Sequence, residues 1–222
     1  VMNCLEKNIR PRDIVTRKSL ENAARVVAAS GGSTNAGLHL PAMAHECGID
    51  FDLNDVTEIF KSTPYIADLK PGGKYVAKDL FEIGGVEIIM KALLDGGYLH
   101  GDCITVTGKT IAENLADVVF PTDQDIVRTT DNPLTKTGGV VGLRGNLAPE
   151  GAIVKVAGMK NQKFSGPARC FDSEEEAYAA VAERNYKEGE VLVIRYEGPK
   201  GCLVDTSDAA DDPLSVSSSC RR

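Results

Sequence analysis

The sequence predicts an α/β chain, helical in its first part and β-rich in its second. Apolar residues recur at helical spacing up to about residue 98, and beyond that point short β-branched runs stand between glycines. Only two helical patterns interrupt those runs. The helical end of one domain, followed by a compact β-rich domain of the kind that closes as a barrel, satisfies these observations together.

The first clear helix is "TRKSLENAARVVAA", residues 16–29, with Leu20, Ala23, Ala24, Val27 and Ala28 on one face behind a cap at Thr16 or Ser19. Gly31-Gly32 stop it. A second pattern runs from about Asn35 to Glu46 with Leu38, Ala42 and His45 on one side, and Pro41 either kinks it or belongs to its first turn. "DLNDVTEIFKSTP" takes Asn54 or Asp55 as cap, turns Val56, Ile59 and Phe60 inward, and meets Pro64 beyond its end. "VEIIMKALLDGG", residues 86–97, ends in paired glycines. Between these two helices, Pro71-Gly72-Gly73 marks a turn in a loop-rich passage.

From there the pattern is strand-like. "CITVTG" alternates, "GGVVGLRGN" and "GAIVKVAG" are short β-branched runs, and "EVLVIRYEG" is a longer one. The two interrupting helices are "KTIAENLADV" and "SEEEAYAAVAERN", the latter opening on a capping box from Ser173 to Glu176. After Gly201, "CLVDTSDAADDPLSVSSSCRR" is rich in Ser and Asp without periodicity, and residues 202–222 read as a disordered tail.

A net charge of −7 argues against an electrostatic grip on nucleic acid or anionic lipid. No signal-peptide pattern opens the chain, and no run reaches the roughly 18 apolar residues a membrane span needs. The expectation is a chain that binds neither nucleic acid nor membrane. Cys4, Cys47, Cys103, Cys170, Cys202 and Cys220 are widely scattered with no C-x-x-C, so they read as free thiols rather than a disulfide frame or zinc site.

Several stretches invite chemistry. "TGKT" at 107–110 lacks the glycine a phosphate loop needs five residues before Gly108, where Cys103 stands, so a helix capped by Thr107 or Thr110 is the better reading. His39 and His45, six apart, do not share a helix face as joint metal ligands. Ser33 has neither a G-x-S-x-G setting nor an assignable base. "GGSTN", Gly31, Gly32, Ser33, Thr34 and Asn35, reads as a helix stop followed by a cap. A helix N-terminus with donor side chains is equally a carboxylate or phosphate site. In "LRGNLAPEGAIVK", Asn146, Pro149 and Gly151 make a tight connection between strands, with Arg144, Asn146, Glu150 and Lys155 supplying polar groups of the kind that line a cleft. "RYEGPKG" ends a strand in a turn that carries Lys200.

These stretches resemble one family. "RPRDIVTRKSLENA", "GGSTNAGLHLPAMAHECGI", "GKYVAKDLFEIGGV", "GDCITVTGKTIAENL", "PLTKTGGVVGLRGNLAPEGAIVKV", "FSGPARCFDSEEEA" and "LVIRYEGPKG" look like the dihydroxy-acid dehydratase and phosphogluconate dehydratase family, and the likeness runs from Ile9 to Gly201. It implies that residues 1–98 are the helical end of an α/β cluster-binding domain. Residues 99–201 would be an incomplete, barrel-like swivelling β/β/α domain, and 202–222 a tail departing from the family. It implies a hydro-lyase that takes water from 2,3-dihydroxy-3-methyl acids to give 2-oxo acids in valine and isoleucine synthesis. In that chemistry an iron–sulfur cluster acts as Lewis acid, Mg2+ holds the substrate and a serine is the base.

The family's cluster cysteines, most magnesium ligands and its carbamylated lysine would lie upstream of this chain. The "PGM" and "RFSGG" segments expected after Gly201 are replaced by "CLVDTSDAADD". The expectation is therefore an internal fragment, inactive alone and prone to aggregate, with no catalytic or metal-ligating residue of its own. Its substrate-cleft candidates are Gly31, Gly32, Ser33, Thr34, Asn35, Asn146 and Lys200. The complete enzyme would be a homodimer acting on a small dihydroxy acid, cytoplasmic in a bacterium and in a plastid or mitochondrion in a eukaryote. The alternatives are a sugar-acid or 6-phosphogluconate dehydratase of the same family, or a non-catalytic binding or assembly module.

Overall fold

Two short helices, α1 (Met2–Glu6) and α2 (Pro11–Ile14), lead into α3 (Arg17–Ala29) in the computed structural model, which describes residues 1–149, 151–159 and 162–197. The readings made for Glu150, Lys200 and residues 202–222 lie outside the described residues. Thr16 caps α3, its side chain accepting from the Ser19 N–H while Ser19 Oγ accepts from Thr16 N–H at 2.8 Å. Leu20, Ala24 and Ala28 form the buried face, as the spacing predicts.

Helix α4 (Ala36–Cys47) has Pro41 in its interior and ends at Gly48 in the left-handed conformation, φ +70°. Its buried residues are Gly37, Leu40 and Ala44, whereas Leu38, Ala42 and His45 are exposed. The predicted face is thus corrected by a turn of the helix. Ile153 packs directly onto Gly37, where a β-carbon would stand 1.9 Å from its Cδ1.

Helix α5 (Leu53–Ser62) is capped by Asp52 rather than by Asn54 or Asp55. The Asp52 carboxylate accepts from the Asn54 and Asp55 N–H groups at 2.7 and 3.1 Å, and Asp55 returns the bond to Asp52 N–H at 2.9 Å. The loop-rich passage after it holds a helix that the sequence pattern missed, α6 (Ala77–Glu82), before α7 (Val86–Asp95). "CITVTG" is no strand. The Thr105 and Thr107 hydroxyls bond each other at 2.9 Å, Thr105 Oγ1 donates to the Lys109 carbonyl at 2.9 Å, and Gly108 at φ +77° folds the segment into a turn. Thr110 caps α8 (Ile111–Asn114), a single turn where a longer helix was predicted.

The strands are four residues each. β1 (Val140–Leu143) and β2 (Ala152–Lys155) make an antiparallel hairpin in which Val140 faces Lys155 and Leu143 faces Ala152. β3 (Ala168–Phe171), absent from the sequence prediction, runs parallel to β4 (Val191–Ile194), and α9 (Glu174–Ala182) connects them. Ser173 caps α9 by accepting from the Glu176 N–H, but the Glu176 carboxylate takes its return bond from Asp172 N–H. Among the described residues the sheets are these two pairs, and they do not close into a barrel.

Four apolar clusters organise the rest, one of them Cys103, Ile111 and Leu115. One joins α3, α4 and α5 through Leu20, Ala24, Leu40, Val56 and Phe60, and takes in Val140 and Ile153 from the hairpin. A second sets α7 against Ala29, Ile66, Ala67, Ile126 and Val127. Burying a side chain such as Phe60 or Ile66 in this way stabilises by about 2 kcal/mol relative to exposure. A third, separate cluster packs Phe171, Ala177 and Ala180 against Leu192 and Ile194 within the β3–α9–β4 unit.

Candidate functional site

At the α3–α4 junction, Gly31 to Asn35, Gly31 is met by the Tyr65 ring and by the Gly139 backbone. Gly31 sits at φ +62°, and a β-carbon there would stand 2.8 Å from the Tyr65 ring. Gly138 and Gly139, leading into β1, bond back to Phe60 and Ala28 carbonyls at 3.0 and 3.1 Å. After β2 the chain returns to the same place, with the Val156 and Ala157 N–H groups both donating to the Gly139 carbonyl. Ala157 in turn touches Gly72 of the Pro71-Gly72-Gly73 turn. Glycine is needed at Gly139 because neighbouring main chain leaves no room for a side chain.

Within the junction, Ser33 Oγ accepts from the Asn35 N–H at 3.2 Å, and the N–H groups of Ala36, Gly37 and Leu38 bond the carbonyls of Ser33, Thr34 and Asn35. The N-cap is Asn35, already in helical conformation, so Ser33 does the side-chain capping. Ser33 is exposed, while Thr34 and Asn35 are half-buried.

Tyr65 is 5% exposed, and its hydroxyl has no hydrogen-bond partner among the described residues. Burial, and then the nearby Asp68 carboxylate, push its pKa up. Lys155 on β2 is half-buried, and burial pushes its ammonium pKa down. Asp68, Lys74 and Asp125 form a small charged group beside the Gly72-Gly73 turn, with Lys74 3.9 Å from Asp68 and 3.5 Å from Asp125.

Of the predicted cleft residues, Gly31 to Asn35 stand together by their sequence adjacency. Asn146 is exposed in the tip of the β1–β2 hairpin, beyond the Leu143–Ala152 pair, while Gly139 at the hairpin's base is the part that meets Gly31. Four strand residues at about 3.3 Å each separate those two ends. Beneath the tip, Arg144 bonds Asn54, and α5 and the hairpin enclose a cleft of about 310 Å³ lined by Thr57, Glu58, Lys61 and Gly142. Sequence reasoning did not single out Tyr65, Asp68 or Gly139. A tyrosine beside a proline and a glycine pair before a strand carry no motif, and their importance comes from which segments meet.

An iron–sulfur cluster or Mg2+ finds no ligand set here. Among the described residues no three His, Cys, Asp or Glu side chains are placed to hold a metal ion. Cys4 in α1 donates to the Val106 carbonyl, Cys103 is buried against Ile111 and Leu115, Cys47 ends α4 and Cys170 lies exposed on β3. Cys202 and Cys220 lie outside the described residues. His100 Nε2 stands 2.7 Å from Glu21, and His39 and His45 are exposed. No helix is long and apolar enough to cross a membrane among the described residues.

Residues 1–114 match the profile of the dihydroxy-acid/6-phosphogluconate dehydratase N-terminal domain, and residues 125–204 that of the C-terminal domain. The chain is 74% identical over 201 residues to a protein of Bradyrhizobium diazoefficiens named dihydroxy-acid dehydratase 2, a match covering 90% of this chain and 35% of that one. It is 72% identical over 203 residues to the dihydroxy-acid dehydratase of Parvibaculum lavamentivorans, and 54% over 202 to that of Methylococcus capsulatus, with similar coverage. It spans about a third of the length of these relatives, all bacterial. Profiles for both domains of one family, met in order along the sequence, place the chain in the dihydroxy-acid/6-phosphogluconate dehydratase family.

Proposed function

We propose that this chain is a portion of a dihydroxy-acid dehydratase, a hydro-lyase that removes water from a 2,3-dihydroxy-3-methyl acid to leave a 2-oxo acid. The observation that carries this reading is the 74% identity over 201 residues to a protein of that name. Its contribution to the reaction is a wall of the substrate cleft at Gly31 to Asn35. The approach of Tyr65 and Gly139 to Gly31 supports this assignment, since a junction held from two sides keeps its donors in place. The cluster and Mg2+ of family enzymes find no ligands among the described residues, so no chemical step is assigned to the side chains described.

In the same reading, residues 1–98 end the cluster-binding domain and 99–201 belong to the swivelling β-rich domain, whose hairpin and parallel pair would be parts of a larger barrel. The complete enzyme would be a cytoplasmic homodimer. A chimaera tests the function: residues 1–201 replace the matching third of the Bradyrhizobium protein, and the product, with its cluster rebuilt anaerobically, is assayed on 2,3-dihydroxyisovalerate and on 6-phosphogluconate. Turnover of the first is expected, and turnover of only the second would sink the reading. The chain alone is expected to turn over neither.

A further inference from the structure

We draw no further inference here: the strongest candidate, the apolar face of the β3–β4 pair turned away from α9 and formed by Ala168, Cys170, Val191 and Val193, carries no proposal because nothing among the described residues shows what covers it.

Discussion

Gly31 and Gly139 meet backbone to backbone: a β-carbon on Gly139 would lie 2.7 Å from the Gly31 Cα and 2.9 Å from the Ala157 Cβ. Main chain on one side cannot yield as a flexible side chain would. Gly139→Ala is therefore expected to cost about 2–3 kcal/mol, the upper part of the range for overpacking. Gly145→Ala, in open space at the hairpin tip, should leave stability within about 1 kcal/mol. Urea unfolding of the two variants makes the comparison, and equal midpoints would show that the junction is looser than described.

Asn22 is expected to matter more than any polar residue on the surface of α3. It is 4% exposed, its Nδ2 donates to the His100 carbonyl at 3.0 Å, and its Oδ1 accepts from the His100 N–H at 2.8 Å. Asn22→Leu strands both His100 backbone groups, for an expected loss of about 2–4 kcal/mol. Thermal unfolding should show the loss, and increased amide exchange at His100 should accompany it.

The cap of α5 gives a pH signature. Hydrogen bonds from the Asp55 N–H first, and then from Asn54, hold the Asp52 carboxyl below the usual carboxylate range. A carboxyl whose pKa is depressed in the folded state stabilises above its unfolded value, and that stability is lost as pH falls through the folded value. Asp52→Ala should cost about 1 kcal/mol at neutral pH. Its deficit should shrink below about pH 4, near the unfolded carboxyl value, and a deficit constant across urea titrations at neutral and acid pH would contradict the assignment.

Thiol labelling should follow exposure. Cys170 is exposed on β3, whereas Cys103 is buried and burial pushes its thiol pKa up, leaving little thiolate to react. Iodoacetamide mapped by mass spectrometry is expected to modify Cys170 first and Cys103 last among Cys4, Cys47, Cys103 and Cys170.

How much of this was legible depends on where the cause lay. Helix α3 could be read because Leu20, Ala24 and Ala28 repeat locally and Thr16 caps beside them. The inward face of α4 could not, since Ile153, far along the chain, decides that Gly37 and not Leu38 is covered. β3 was missed because "ARCF" alternates weakly and owes its extended form to pairing with Val191 to Ile194. "CITVTG" misled in the opposite sense, its β-branched residues being turned by threonine hydroxyls bonding nearby backbone. The junction at Gly31 was recognised as a helix stop and cap, but Tyr65 and Gly139 reach it through tertiary contacts that no local pattern announces.

The sealing of Val140 and Ile153 among α3, α4 and α5 sets an order of events during synthesis. A nascent chain leaving the ribosome presents three helices whose shared apolar face lacks its Val140 and Ile153 cover until residue 153 has emerged, and exposed apolar surface of that kind favours aggregation while it lasts. The β3–α9–β4 unit follows and can close on its own neighbours at once, because every residue of its core lies between Phe171 and Ile194.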